Sequence, residues 1–189
     1  MNKERLTAFS DGVIAIIITI MVLELKVPHG ASLAALVGLV PVFLSYVLSF
    51  VFVAIYWNNH HHLLHAAKRV NGAILWATMH LLFWLSLIPF STGWMGENDF
   101  AELPVAVYGV SMLMPAIAYY VLTGCIVRAN GADRRLAEAL GRDVKGKISP
   151  LIYLTAIPLS YISPWIANGL YVLVALIWLV PDRRIERVV

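Results

Sequence analysis

The sequence predicts an all-α, polytopic membrane protein with six transmembrane helices, the first of which carries the unusual residues. Three observations lead there. Of 189 residues, 60% are hydrophobic and only 13% charged, with a mean hydropathy of +0.79, a balance that suits hydrocarbon rather than a water-soluble core. The apolar residues are gathered into six segments, each about the length that crosses ~30 Å of hydrocarbon at ~1.5 Å per residue. The basic residues cluster in those connections that six spans would place on one side.

Taken in order, the segments run Leu6–Leu25, Leu33–Trp57, Val70–Phe90, Pro104–Val127, Ile148–Ile162 and Trp165–Val180. The fifth is short and carries Pro150 and Pro158, with Pro164 at the turn into the sixth. Neighbouring helices can re-satisfy the carbonyls that proline frees, so a kinked fifth span is expected. Residues 1–189 then form a single six-helix unit. The short Met1–Arg5 n-region is not followed by a small-residue cleavage site, so the first span is expected to remain as a signal anchor. Cys125 is the single cysteine, which excludes an intrachain disulfide.

Orientation follows from the connections. Lys3, Arg5, Lys68, Arg69, the run from Arg128 to Lys147, and Arg183, Arg184 and Arg187 share one side; of fourteen lysines and arginines only Lys26 falls opposite. By the positive-inside rule both termini are cytoplasmic, at the cell membrane. This distribution also accounts for the net charge of +3, so no nucleic-acid partner is implied. The opposite side carries Glu24, His29, Glu97, Asp99 and Glu102, a mildly acidic outer end. Trp57, Trp84, Trp94, Trp165 and Trp178 fall near span ends, where interfacial anchors belong.

The first span is the one around which the chain is organised. It carries Arg5, Ser10 and Asp11 near its start, although a charge at the centre of a spanning helix costs roughly 2.5–3.5 kcal/mol on insertion scales. On a helical wheel Ile16, Ile20 and Leu23 form a bulky stripe, and Ala8, Gly12, Ala15 and Thr19 form a strip of small side chains beside it. Asp11 points away from the bulky stripe. Spacing alone assigns no function: such a stripe also serves as a lipid or packing face, and a buried aspartate as a structural hydrogen-bond acceptor.

The second span closes in Trp57, Asn58, Asn59, His60, His61 and His62, with His65 beyond. His61 and His65 have the i, i+4 spacing of a metal pair, but no cysteine or carboxylate nearby completes a site. Histidines pairing with a carboxylate is the better reading, and Asp11, at the same end of span one, is the expected partner. His80, midway along span three, reads as a packing residue before it reads as a proton relay.

Arg5, Phe9, Ser10 and Asp11, followed by Gly12, form an R-x-x-x-F-S-D pattern at the head of an apolar helix, which resembles the motif of the transmembrane protein 175 family of lysosomal-type potassium channels and their prokaryotic relatives. Trp57–His61, Leu87–Phe90, Ser163–Trp165 and the closing stretch Val180–Glu186 extend the resemblance along essentially the whole chain. The first motif is specific and the others supporting. The motif occurs once here, whereas the animal relatives carry two repeats.

The resemblance implies a cation channel, a homotetramer whose first helices line a central pore. It implies Ile16 as the narrowest position, with Thr19, Ile20 and Leu23 continuing the pore-facing side. It also implies a network that ties Arg5, Ser10 and Asp11 to spans two and three, with His60 or His61 as partner. The permeant ion would be K⁺, with no cofactor, no metal centre and no enzymatic activity. No TVGYG-like loop is present to replace a hydration shell with carbonyls. A ring of isoleucines favours K⁺ over Na⁺ modestly, because K⁺ holds its water less tightly. The Thr19 hydroxyl either touches an ion or bonds back to Ala15. The competing class is a proton-coupled transporter using Asp11, His60, His61 and His80, or a haem protein. Neither an inverted repeat nor facing mid-helix histidines support these, and no nucleophile motif supports a hydrolase.

Overall fold

The structure, a computed structural model, describes residues 2–130 and 144–179. Of the basic stretch predicted between spans four and five, Arg128 to Lys147, the part at 131–143 lies outside the described residues, as does the closing stretch 180–189. The described residues are helical nearly throughout: α1 Lys3–Leu23, α2 Leu33–Val37, α3 Val40–Ala66, α4 Gly72–Ser86, α5 Ile88–Glu97, α6 Glu102–Ala129, α7 Val144–Leu159 and α8 Pro164–Leu179. Among them four stretches are long and apolar enough to cross a membrane: α1, α3, α4 with α5, and α6. The chain is an all-helical, multi-pass membrane protein. The expected count of six spans rests on α7 and α8, which have 16 residues each.

Two boundaries differ from the expectation, for identifiable reasons. The second apolar run is not one helix from Leu33. It breaks after Val37, at Gly38 and Leu39, and α3 begins anew with Pro41 in its first turn, where a missing N–H costs nothing. At its other end α3 continues past Trp57 to Ala66, since nothing in the histidine run breaks a helix. Its final carbonyls are met by a cation from another helix: Lys3 Nζ donates to His65 O at 2.9 Å and to Ala67 O at 3.3 Å.

The third span is broken in the middle. Pro89 has no N–H for the carbonyl of Leu85, and its ring crowds that turn, so α4 ends at Ser86 and α5 restarts at Ile88. Together they cover 26 residues. Asn71 caps α4 by accepting from Ile74 N at 3.0 Å. Asn130, at the end of α6, accepts from Lys68 N and Arg69 N at 3.0 and 3.1 Å, tying the α3–α4 turn to α6.

Packing places α6 in the middle, against α4, α5, α7 and α8, while α3 packs on α5 and α8. Backbones come close where side chains vanish: a Cβ on Gly96 of α5 would stand 2.8 Å from Val42 Cα of α3. The core beside them is aromatic and hydroxylated. Phe52, Tyr108, Tyr153 and Tyr171 are buried together, and the hydroxyls of Thr92, Ser49 and Tyr108 form a chain at 2.6 and 3.0 Å. Helix α1 lies at the edge of this bundle, against α3, α4 and α5.

Candidate functional site

An amphipathic split governs α1, although the helix is apolar nearly all round. Leu6, Ser10, Ile14, Ile17 and Met21 recur at helical spacing and are buried against the bundle. The other side is exposed among the described residues. Ile16 is 60% exposed, Ile20 42% and Leu23 75%, and Ala8, Gly12, Ala15 and Thr19 are exposed beside them. A Cβ placed on Gly12 would meet no atom within 4 Å. Both the bulky stripe and the small strip read from the sequence therefore stand on the side of α1 that its own chain leaves open.

Thr19 donates its hydroxyl proton to Ala15 O at 2.9 Å. Because this bond spends only the proton, the oxygen keeps both its lone pairs as acceptors, so the two roles considered for this residue are compatible.

Asp11 is tied to α3, and its hydrogen bond comes from an indole. Trp57 Nε1 donates to Asp11 Oδ1 at 3.0 Å, a hydrogen bond that neither His60 nor His61 makes among the described residues, while His60 stands close enough for the Asp11 charge to act on it. The reason is depth. Lys3 lies level with the last turn of α3, to whose carbonyls it bonds, and α1 and α3 run antiparallel. Asp11 stands about 12 Å along α1 from Lys3, and Trp57 about 13 Å before the end of α3, whereas His61 stands only about 8 Å before it. Had α3 ended at Trp57, as expected, the histidines would have reached a different level.

The remaining motif residues divide. Ser10 is buried and donates to Leu6 O at 2.9 Å, within its own helix. Arg5 and Phe9 stand exposed, and Arg5 has no hydrogen bond or ion pair among the described residues. His60 is wholly buried, with neither ring nitrogen partnered among the described residues. His61 lies against Trp57 with ring centroids 6.0 Å apart, and so helps hold the indole that holds Asp11. Among the described residues the hydrogen-bonded linkage from α1 to α3 is therefore Asp11–Trp57 and Lys3 to the carbonyls of His65 and Ala67. Trp57 and Lys3 were missed as linking residues because sequence reading placed one as an interfacial anchor and the other as an orientation signal. Measuring depth from both helix ends is the signal that finds them.

Among the described residues no three His, Cys, Asp or Glu side chains converge as a metal site. Between α3, α6, α7 and α8 a cavity of about 30 Å³, lined by Tyr56, Asn59, Tyr119, Ser149 and Trp178 among others, has room for about one water. Beyond the end of α1, Lys26 forms an exposed ion pair with Glu97 at the end of α5, whose hydrogen bond and charge hold the amine above its ordinary value.

The family model described as the endosomal/lysosomal potassium channel TMEM175 matches residues 5–89, which include the motif, α3 and most of the broken third span. A protein of Chryseobacterium sp. (strain P1-3) named as a potassium channel is 57% identical over 99% of this chain and 97% of its own length. One from Chamaesiphon minutus, also named as a potassium channel, is 31% identical over 91% of each. The crystal structure of a lysosomal potassium-selective channel TMEM175 homolog from Chamaesiphon minutus superposes with a TM-score of 0.84 at 28% identity, covering 95% of this chain and 97% of that one. The chain belongs to the TMEM175 family.

Proposed function

We propose that this chain is a potassium channel of modest selectivity over sodium, working as a homotetramer in the cell membrane with both termini cytoplasmic. Each copy contributes six spans, α7 and α8 being the last two, from a single unit over residues 1–189. The four α1 helices surround the ion path. Its narrowest ring is Ile16, with Thr19, Ile20 and Leu23 above it; Arg5, Phe9, Ser10, Asp11, His60 and His61 set the position of α1. The permeant K⁺ needs no cofactor, and the chain catalyses no reaction.

The observation that carries this reading is the open face of α1: a stripe of three large apolar side chains, free of charge, at one edge of a bundle. One copy offers one Ile16, which encloses nothing. Four copies around an axis turn the stripe into stacked apolar rings about 5–6 Å apart. An ion passing such a ring loses water against a wall that gives nothing back, so the ion that sheds water more readily passes first, and narrowing the ring until it dries closes it. The test joins two measurements, the mass of the assembly in mild detergent and single-channel current in a planar bilayer under a K⁺/Na⁺ gradient. Four copies and a K⁺-favouring reversal potential are expected. Substrate-dependent proton flux without unitary currents would instead make the chain a coupled transporter.

A further inference from the structure

His80 stands midway along α4, exposed on the side of the broken third span that faces away from the bundle. It belongs to a stripe, Trp76, His80, Phe83, Leu87 and Phe90, spaced alternately by four and three residues, the seam pattern of a helix that packs on another. A polar ring at this depth is costly against lipid and belongs against protein. Its chemistry is specified. Trp84 Nε1, which can only donate, bonds His80 Nε2 at 2.8 Å, so the neutral ring carries its proton on Nδ1. That N–H meets no acceptor among the described residues.

The placement of α1 says what lies opposite. Asp11 and Trp57 put α3 on one flank of α1. On the other flank is α5, where Glu24 Oε2 lies 3.9 Å from the position of a Gly93 Cβ. On the open side between them, the Ile16–Ile20–Leu23 stripe lies nearer α5 and the small strip nearer α3, at ~100° per residue. If the stripe faces a central axis, the next copy approaches the small strip from the α3 flank. In a closed ring the contact is head-to-tail, so that copy presents its opposite flank, α4 and α5. Sizes match, Trp76 and Phe83 against Ala8, Gly12 and Ala15. Depths match too: α1 and α4 run the same way, and Asp11 and His80 each stand about 12 Å along their helices. Trp57 uses only Oδ1 of Asp11, leaving Oδ2 to accept.

We propose that the Trp76–His80–Phe83 face of one copy seats on the Ala8–Gly12–Ala15 strip of the next, with His80 Nδ1 donating to Oδ2 of that copy's Asp11. The inference rests on the ring reading above and assigns its subunit interface. The bond gives each subunit boundary a charge-assisted anchor at the level of the motif, and couples Trp57, Asp11 and His80 into one chain across the boundary.

The test uses the full chain with Cys125→Ser and one cysteine on each face. Ala15→Cys with Phe83→Cys, and separately Ala8→Cys with Trp76→Cys, are oxidised in membranes and read on a denaturing gel. A ladder up to four copies for either pair, absent from each single-cysteine variant, is expected. His80→Leu should raise the dissociated fraction roughly tenfold, while His80→Gln, which keeps a donor, should restore assembly. A tetramer by mass with no ladder from either pair overturns this interface and leaves the ring standing. A monomer by mass overturns the ring and the interface with it. A tetramer equally stable in His80→Leu and His80→Gln removes the bond to Asp11.

Discussion

Trp57 Nε1 lies 3.0 Å from Asp11 Oδ1, and this bond sets how α1 stands against α3. It joins a helix that leaves one face open to a helix that is anchored in the bundle. A carboxylate in a membrane span needs its donors, and here the donor is an indole, which can only give. Replacing Trp57 by Phe should cost about 1.5–3 kcal/mol, the range for a hydrogen bond to a charged group. Thermal unfolding of Trp57→Phe, Asp11→Asn and the double variant checks it: the double variant should lose less than the two losses added, because the pair acts as a unit.

Ile16 is the position where current should respond most directly. Ile16→Ala or Ile16→Asn should raise current and bring the K⁺ and Na⁺ permeabilities together, because a wider or wetter ring lets both ions keep their water. Leu23→Ala should do less. Currents and reversal potentials are normalised to assembled protein. Unchanged selectivity in a well-assembled Ile16→Asn channel would move the constriction to Ile20.

Two glycines separate fold from assembly. Gly96→Ala pushes a methyl to 2.8 Å from the Val42 backbone, which cannot yield cheaply, and should destabilise the chain by about 1–3 kcal/mol. A Cβ on Gly12 meets nothing within 4 Å among the described residues, and Gly12→Leu extends from there into the open side of α1. It should fold normally by circular dichroism yet lose tetramer in a mass measurement. Equal loss of fold in both variants would contradict the open face of α1.

The Lys26–Glu97 pair predicts a pH effect of definite sign. Glu97 raises the folded pKa of Lys26 above 10.5. A cation whose pKa is raised on folding contributes its stabilisation in full below the unfolded value, and loses it as pH climbs through the folded one. Glu97→Gln should therefore lower stability slightly and evenly from pH 7 to about 10, with the difference from the parent chain vanishing only above about 10.5. High salt should shrink the difference at all pH values, since both side chains are largely exposed.

The sequence by itself determined the class of this protein. Hydrocarbon admits helices and closed barrels, so long apolar runs read directly as helices, and the skew of lysines and arginines reads as orientation. It also determined which side chains share a face of α1, because helical periodicity is local: the Ile16 stripe and the Ala8–Thr19 strip fall where the wheel puts them. Helix ends were legible only where a breaker stands. Pro89 and the Gly38–Pro41 pair cut spans that composition had drawn as continuous, while α3 ran on through its histidines because they carry no stop signal. Partnership was decided by tertiary structure alone. Whether Asp11 meets Trp57 or His61 turns on the relative depth of two antiparallel helices, a difference of one helical turn. That register shows in the packing of α1 on α3 and in Lys3 reaching the last carbonyls of α3, contacts between residues far apart along the chain that no local pattern encodes.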